Sequence, residues 1–395
     1  MCGICGIINY DKKQIDPYDL QSMNDAMLHR GPDDHGYYYS ENKAFAMRRL
    51  SIIDLEGGQQ PVTNEDSTVW VIQNGEIYNY IELRRELKNR GHVFKTTSDT
   101  EVIVHLFEEK GINALDDLNG MYALAIYDKN SDLTYIARDR LGIKPLYYFN
   151  GRKRFIFSSD LNSIRKIEDL KINSDSLLSY LGLSYVPAPE TIYHGIRKVR
   201  PAHYIVCNGG QIEEKRYWSI ENIQVWEGSL EQASGALREL LIDAVGLQFR
   251  SDVPVGVFLS GGLDSSAILA AGAQAVKGPI NTFTINFEQK NGQDSFFARK
   301  VASKYNTCHV EKSFNINSFL TQLDELLYLL DEPVSDTAII PTYFLSKIAR
   351  QNGIKVLLSG AGGDELFGGY PRQHKPGLGT PRWFAENMPF PLRMV

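Results

Sequence analysis

The first 160 residues contain short apolar or alternating runs that turn residues separate from one another. Such runs predict strands, because successive side chains of a strand point to opposite faces of a sheet. Helical spacing occurs at Pro17–His29, Tyr80–Arg90 and Asp99–Lys110, so we predict an α+β layered domain. The predicted strands are Cys5–Asn9, Ala44–Leu55, Val69–Gln73, Tyr122–Tyr127, Leu133–Ala137 and Phe155–Ser158.

The pattern changes after a polar stretch around Trp218–Glu227. Beyond it, helical stretches alternate with nearly continuous apolar runs, which predicts βαβ units and a parallel sheet. Parallel sheets bind ligands at the carboxyl ends of their strands. We therefore predict two domains, residues 1–218 and residues 219–395. The predicted elements of the second domain are helices Leu230–Phe249, Asp264–Val276, Phe296–Tyr305 and Phe344–Gln351, and strands Val253–Leu259, Ile280–Phe287 and Lys355–Ser359.

Composition and charge exclude a few classes of protein. Hydrophobic residues make up 43% of the 395 positions and charged residues 23%, which is typical of globular domains. The net charge of -6 gives no electrostatic reason to expect nucleic acid or an anionic membrane as a partner. No apolar run approaches the roughly 18 residues that span a bilayer, and the start, MCGICGIINYDKK, lacks the basic region of a secretory signal. We expect a cytoplasmic protein.

The four cysteines do not form a disulfide framework, but the first of them has a distinctive position. Cys2 and Cys5 form a C-x-x-C pair, and no second pair completes a tetrahedral zinc site. Removal of Met1 would leave Cys2 with a thiol and an α-amino group, whose ordinary pKa values are about 8.5 and about 7.7–8.0. The amine can then take the thiol proton, so Cys2 is a candidate nucleophile that carries its own base.

Five short motifs resemble class II glutamine amidotransferases. They are Cys2-Gly3-Ile4, His29-Arg30-Gly31-Pro32-Asp33, Arg49-Leu50-Ser51-Ile52, Asn74-Gly75-Glu76-Ile77-Tyr78-Asn79 and Ser98-Asp99-Thr100-Glu101. The resemblance implies an amino-terminal-nucleophile (Ntn) hydrolase fold, which is a four-layer αββα sandwich. The stretch Arg138–Tyr147 also resembles this family and is interpreted as scaffold.

The same resemblance implies a role for each matched residue. Cys2 would release ammonia from glutamine, with the Asn74 side chain and the Gly75 N–H group as the oxyanion hole. A planar guanidinium suits the glutamine α-carboxylate, and two acids suit its α-amino group. The glutamine-binding residues would be Arg49, Glu76 and Asp99. Taken singly, an Asn-Gly pair is more often a hairpin turn and an Asp before a helix is usually an N-cap, but the ordered set favours catalysis.

A second glycine-rich motif lies where the predicted strand Val253–Leu259 leads into a helix. Its sequence, S-G-G-x-D-S, offers backbone N–H groups and a helix start for an anion, and Asp264 can hold Mg²⁺ against phosphate charge. The motif resembles the pyrophosphate-binding loop (PP-loop) of the N-type ATP pyrophosphatases, and no Walker-type loop is present. This resemblance implies a Rossmann-like α/β ATP-binding domain that splits ATP between its α- and β-phosphates.

Two further stretches, Asp331-Glu332-Pro333 and Leu358–Tyr370, resemble the asparagine synthetase domain. By this resemblance Asp364 is a second Mg²⁺ ligand, and the end of the strand around Ile285 faces the nucleotide. The residues that the resemblance places at ATP are Leu259, Ser260, Gly261, Gly262, Asp264, Ser265, Ile285, Ser359 and Gly360.

The family resemblance implies a ligase that makes asparagine from glutamine, aspartate and ATP with Mg²⁺. Ala361 stands where asparagine synthetases commonly carry an acidic residue, so amidation of another carboxylate, such as one on a cell-surface sugar, is an alternative. We expect the second domain to be truncated after Val395, before the family's Tyr/Lys pair near the acyl-adenylate. A glutaminase whose second half only binds nucleotide, and a non-catalytic nucleotide-binding module, are therefore further alternatives. A homodimer is one candidate oligomeric state, and the sequence alone does not determine it.

Overall fold

The computed structural model describes residues 1–287, 293–314 and 320–370. These residues form two compact units. The first comprises Met1–Asn222 and Asp324–Asp336, and the second comprises the described residues of Ile223–Leu323 and those from Thr337 onward. The segment after Tyr370, where we expect no Tyr/Lys pair, lies outside the described residues. We keep residues 1–218 and 219–395 as the proposed domains.

The first unit is built on two antiparallel sheets of six strands each among its described residues. Its strands are β1 (Gly3–Asn9), β2 (Asp34–Tyr39), β3 (Lys43–Arg49), β4 (Val62–Thr63), β5 (Val69–Ile77), β6 (Gly120–Asp128), β7 (Leu133–Arg138), β8 (Tyr147–Asn150), β9 (Arg154–Ser158), β10 (Ile196–Lys198), β11 (His203–Asn208) and β12 (Gln211–Arg216). The strand orders are β10-β8-β9-β1-β3-β2 and β12-β11-β7-β6-β5-β4. Cys2 therefore precedes a strand that has a neighbour on both sides.

Helices cover the outer face of each sheet. They are α1 (Pro17–Ala26), α2 (Tyr80–Asn89), α3 (Glu101–Lys110) and α4 (Leu161–Ile164). A further helix, α5 (Ser174–Leu183), leaves its leucine side chains exposed. One apolar cluster, with Phe45 and Ile136 among its members, fills the space between the sheets. Two others join α1 and α4 to the first sheet and α2 and α3 to the second. These layers form the αββα sandwich, so the predicted fold class of this domain is confirmed.

The second unit contains a parallel sheet with strand order β15-β14-β13-β16. Val257 packs on one face and Phe258 packs on the other, because neighbouring side chains of a strand alternate. Burial on both faces explains the nearly continuous apolar run in the sequence. The elements of this unit are α6 (Leu230–Gln248), β13 (Val255–Phe258), α7 (Leu263–Ala275), β14 (Asn281–Phe287), α8 (Gln293–Lys304), β15 (Cys308–Phe314), α10 (Ile339–Gln351), β16 (Val356–Leu358) and α11 (Gly363–Phe367). Helix α9 (Leu323–Leu329) lies, from Asp324 onward, in the segment that belongs to the first unit. The predicted α/β parallel-sheet class is confirmed.

Two predicted elements differ from the structure in ways that affect the site. The strand predicted over Ala44–Leu55 ends at Arg49, and the residues that follow it form turns. The strand predicted over Val69–Gln73 continues to Ile77, because it pairs with β6 along its whole length. The Asn-Gly pair at positions 74 and 75 therefore lies within a strand, and the hairpin interpretation is wrong.

The motif Asp331-Glu332-Pro333 belongs to the segment that packs with the first unit. Asp331 Oδ2 accepts a hydrogen bond from the Leu161 N–H at 3.2 Å. Glu332 accepts one from the Ile192 N–H at 3.0 Å and pairs with Lys198 Nζ at 2.8 Å. Both acids of this motif are thus held by the first unit. No helix within the described part of the chain is both long enough and apolar enough to cross a bilayer.

Candidate functional site

The Cys2 thiol is partly buried beside the turn that follows β3. Its Sγ accepts a hydrogen bond from the Leu50 N–H at 3.4 Å. Arg30 Nε donates to the carbonyl oxygen of Cys2 at 3.2 Å. Burial raises the pKa of the thiol, while the Leu50 N–H group and the charges of the terminal amine and Lys144 oppose the rise. A base is therefore needed to remove the thiol proton near neutral pH.

The turn that holds Cys2 is itself fixed by the second predicted motif. Asp33 Oδ2 accepts a hydrogen bond from the Ser51 N–H at 2.9 Å. The loop that carries Arg30 and Asp33 thus reaches both Cys2 and the residue next to Leu50. The His29–Asp33 motif and the Arg49–Ile52 motif are parts of one arrangement around the thiol.

Asn74 lies on β5 and points towards the start of β1. Its Nδ2 donates to Ser159 Oγ at 3.3 Å, and the same hydroxyl accepts a hydrogen bond from the Ile4 N–H at 3.2 Å. Asn74 is fully buried, and its Oδ1 has no hydrogen-bond partner among the described residues. A Cβ on Gly75 would lie 2.1 Å from the carbonyl oxygen of Met121 on β6, so this strand position requires glycine.

Two buried acids and one buried amine lie together near this strand. Asp99 accepts a hydrogen bond from the Ile77 N–H at 2.9 Å, and burial raises its pKa. Burial and the Asp99 charge raise the pKa of Glu76 to about 7. Burial also lowers the pKa of Lys144, against the effect of Glu76 and Cys2. The N-cap of α3 is Thr100, so Asp99 does not have the capping role that is usual for an Asp before a helix.

Arg49 is 4% exposed and is held by the turn that follows β3. Its Nη2 donates to the carbonyl oxygens of Ile53 at 2.8 Å and Asp54 at 2.7 Å, and its Nη1 donates to that of Leu55 at 3.4 Å. These partners are neutral, so they fix the guanidinium plane without neutralising its charge. A fixed guanidinium of this kind is suited to a carboxylate.

Sequence reasoning assigned no chemical role to Arg30 or Lys144, which contact or influence Cys2. Asp139 accepts hydrogen bonds from the N–H groups of Ile143 at 2.9 Å and Lys144 at 3.0 Å, and this folds the turn. The scaffold stretch therefore delivers a buried amine to the site. The sequence feature that could have indicated a buried lysine is the position of Lys144 between Ile143 and Pro145, because apolar neighbours indicate burial.

In the second unit, the PP-loop turn joins β13 to α7 and is held by hydrogen bonds between nearby residues. Ser265 Oγ accepts from the Ser260 N–H at 3.2 Å and lies 2.9 Å from Ser260 Oγ. Ser260 Oγ also accepts from the Gly262 N–H at 3.3 Å, and Gly261 has φ +81°, which favours glycine. The turn is a preformed loop at the amino terminus of a 13-residue helix, a place that favours anions.

The second glycine-rich loop lies against the first, because β16 pairs with β13 in parallel. A Cβ on Gly360 would lie 2.8 Å from Asp264 Cβ, and one on Gly363 would lie 2.5 Å from Asp264 Oδ2. Since Gly363 directly precedes Asp364, both aspartates belong to one small region. Carboxylate oxygens of this kind fit Mg²⁺.

The remaining predicted ATP residues differ in their surroundings. Ser359 directly follows β16, and its Oγ accepts a hydrogen bond from the Ala361 N–H at 3.5 Å. Leu259 and Ile285 pack in the apolar clusters on the two faces of the sheet. The Leu259 side chain is 1% exposed, so a contact of this residue with a nucleotide would use its backbone.

Two family models match this chain. Residues 1–218 match the glutamine amidotransferase domain, and residues 236–393 match the asparagine synthase model. Asparagine synthetases 1 and 2 (glutamine-hydrolysing) of Bacillus subtilis are 38% and 37% identical over 95% and 98% of this chain. A putative asparagine synthetase 2 of Methanocaldococcus jannaschii is 36% identical, over 94% of this chain and 76% of the relative.

The first match shows a glutamine amidotransferase domain, and it covers more than half of the chain. The chain belongs to the family of glutamine-hydrolysing asparagine synthetases, and the resemblance carried by the motifs is confirmed. It spans 60% and 55% of the lengths of the two Bacillus subtilis relatives.

Proposed function

We propose that this protein makes asparagine with glutamine as its source of ammonia. Cys2 releases ammonia from glutamine, and the ammonia attacks a β-aspartyl-AMP formed from aspartate and ATP. The products are asparagine, glutamate, AMP and pyrophosphate. The observation that carries this proposal is a set of groups in one unit: a partly buried thiol, a fixed guanidinium and two buried acids. Family membership supports it.

The glutaminase step begins with a proton transfer within one residue. In the structure, burial lowers the pKa of the Met1 amino group to about 5. After removal of Met1, similar burial would keep the Cys2 amine neutral and able to take the thiol proton. The thiolate then attacks the carboxamide carbon of glutamine, and the C–N bond breaks as the amine returns the proton to the leaving ammonia. Water hydrolyses the thioester, which gives glutamate and regenerates the thiol.

The charges around the thiol match the ends of glutamine. Arg49, held by neutral carbonyls, is suited to the α-carboxylate. Glu76 and Asp99 are suited to the α-ammonium group, because a cation would relieve the repulsion between two buried acids. The fully buried Asn74 amide and the Gly75 N–H group supply the polarity that an oxyanion needs. These roles follow the family motifs position by position.

The ligase step uses the two loops at the carboxyl ends of β13 and β16. The N–H groups and hydroxyls of Ser260–Ser265 are suited to the leaving pyrophosphate. A bound Mg²⁺ would be held by Asp264 and Asp364 and would neutralise charge on the phosphates. The aspartate side-chain carboxylate attacks the α-phosphorus, the bond to the β-phosphate breaks, and pyrophosphate leaves. Ammonia then displaces AMP from the acyl carbon.

An assay with aspartate, glutamine and Mg-ATP tests the proposal. Asparagine and pyrophosphate should form in equal amounts, and asparagine should be absent when ATP is left out. Pyrophosphate with other carboxylates but not with aspartate would favour a different acceptor, for which Ala361 is the specific observation. Glutamate without pyrophosphate, for every carboxylate tried, would identify a glutaminase and contradict the ligase.

Glutamine should bind more tightly as the pH rises through about 7, because Glu76 then loses its proton. Below that pH, a protonated Glu76 cannot neutralise the α-ammonium group, which stays charged throughout this range. Calorimetry on the Cys2→Ala variant at pH 6 and pH 8 would measure this without turnover. In Glu76→Gln we expect affinity at pH 8 to fall by about 10–100-fold and the pH dependence to disappear.

The matched control for that measurement is Glu86→Gln, an exposed carboxylate on α2 of the same unit. It should keep both the affinity and the pH dependence of the parent. Equal glutamine affinity at pH 6 and pH 8 in the parent would contradict the role of Glu76.

A further inference from the structure

Two histidines lie together, apart from the residues assigned to glutamine. His105 is on α3 and is 1% exposed, and His92 follows the end of α2. Their ring centroids are 4.9 Å apart. Glu65, in the turn between β4 and β5, and Glu108, one turn after His105, complete a group of four side chains that can each ligate a metal. Three separate parts of the first unit contribute to this group.

The potential ligand atoms converge on a small volume. Glu108 Oε2 lies 2.8 Å from His105 Nδ1 and 3.5 Å from His92 Nδ1. Glu65 Oε2 lies 3.8 Å from His105 Nδ1, and one ligand atom from each of Glu65, His92 and His105 falls within 4.8 Å of the others. In a tetrahedral zinc site with bonds of about 2.0–2.2 Å, neighbouring ligand atoms are roughly 3.2–3.6 Å apart. Small side-chain movements would therefore place all four on one ion.

The outer nitrogen of each imidazole faces a different carboxylate. His92 Nε2 lies 3.0 Å from Glu109 Oε1. His105 Nε2 lies 3.8 Å from Glu101 Oε1, and this buried nitrogen has no hydrogen-bond partner among the described residues. A carboxylate beyond the second nitrogen is the usual support of a metal-binding imidazole, because it fixes the ring and its tautomer.

The second oxygen of each of the two acidic ligands also accepts a hydrogen bond from the protein. Glu108 Oε1 accepts a hydrogen bond from Asn64 Nδ2 at 2.9 Å, and Asn64 is buried. Glu65 Oε1 accepts one from the Val93 N–H at 3.0 Å. Each carboxylate thus has one oxygen fixed by the protein and the other directed at His105. Such support is what a site needs to keep its ligands in place for an ion.

We propose that Glu65, His92, His105 and Glu108 form a structural zinc site. Two imidazoles with two carboxylates suit Zn²⁺ better than Mg²⁺ or Ca²⁺, which prefer oxygen ligands alone. The ion would fasten the end of α2 and the turn before β5 to α3. Asp99 lies on the chain between His92 and His105, so the site would also steady a residue that the proposed function assigns to glutamine.

Zinc content and thermal unfolding of the tag-free chain would test this site. The protein should carry Cys2→Ala and Cys308→Ala, so that the accessible thiols do not bind the metal. After removal of metal by a chelator, loading with zinc chloride and desalting, elemental analysis should find about one zinc per chain. Loading should also raise the unfolding temperature, because the ion binds the folded state.

Substitutions in the site should remove both effects. His92→Asn and Glu65→Gln should each lose the retained zinc, and Glu65→Gln changes only a partly exposed side chain, so that it keeps the fold. Glu109→Gln should weaken zinc affinity by about 10–100-fold. His203→Asn, at a partly exposed histidine of the same unit, should behave as the parent.

Two results would overturn the zinc site. One is a parent protein that retains no zinc and whose unfolding temperature does not respond to the ion. This would mean that a protonated His105 alone balances the surrounding carboxylates. The other is equal zinc content in the parent and in Glu65→Gln. Neither result depends on glutamine turnover, so failure of the zinc site and failure of the proposed function are distinguishable.

Discussion

Substitution of Cys2 by alanine is expected to abolish glutamine hydrolysis and to leave ammonia-driven turnover intact. The variant lacks the sulfur that attacks the carboxamide, while the loops around Asp264 lie in the other unit. Loss of a nucleophile that acts together with its base typically lowers the rate by a factor on the order of 10⁴ or more. Glutamate release from glutamine and pyrophosphate formation with ammonium chloride, measured in parallel, would separate the two activities.

Cys5→Ala is the matched control, because Cys5 shares the C-x-x-C pair but is fully buried in the core against α1 and α4. It should keep glutamine hydrolysis near the parent rate. A protein that retains Met1 should lose the activity as Cys2→Ala does, since the Cys2 amine is then an amide. Normal glutamine hydrolysis by the retained-Met1 form would contradict the proposed base.

The fold was predictable where local pattern and tertiary pairing agree. The apolar run around Val257 predicts a buried parallel strand, and the structure buries it on both faces. The prediction fails after Arg49, where the apolar sequence S-I-I-D-L looks like a strand. There the backbone carbonyls of residues 53–55 bind the Arg49 guanidinium instead of a neighbouring strand. The apolar pattern alone could not show that these carbonyls bind Arg49 rather than a strand.

The extent of β5 illustrates a different limit. Asn74 and Gly75 have low strand propensity, so the sequence predicts that the strand ends at Gln73. Pairing with β6 overrides propensity, and it places the two residues in a sheet. Family resemblance could assign them to catalysis, but only the register explains why a side chain at position 75 would collide with Met121.

The residues that the sequence did not reveal lie far from Cys2 along the chain, and no motif indicates their role. Lys144 follows Cys2 by more than a hundred positions, and its influence on the thiol depends on how β1 and β8 share a sheet. The N–H group of Leu50 carries no side-chain signal at all, although it donates to the thiol. Likewise, nothing in Asp331-Glu332-Pro333 indicates that both acids bind to the first unit.

Substitution of Asp264 by asparagine should reduce pyrophosphate formation by about 10²–10³-fold, with either glutamine or ammonia as the nitrogen source. An amide cannot neutralise the charge of a bound Mg²⁺ as a carboxylate does. Asp364→Asn should have a similar effect. The double variant should lose little more than either single one, because the two carboxylates serve the same ion and their effects do not add. Pyrophosphate release at saturating ATP would measure all three.

The control for these variants is Glu239→Gln, an exposed carboxylate on α6 of the same unit, which should form pyrophosphate at the parent rate. Glutamine hydrolysis without ATP should be unchanged in every variant, since Cys2 and its partners lie in the first unit. If Asp264→Asn formed pyrophosphate as fast as the parent, the two glycine-rich loops would not hold the metal, although their close approach at Gly363 would still need an explanation.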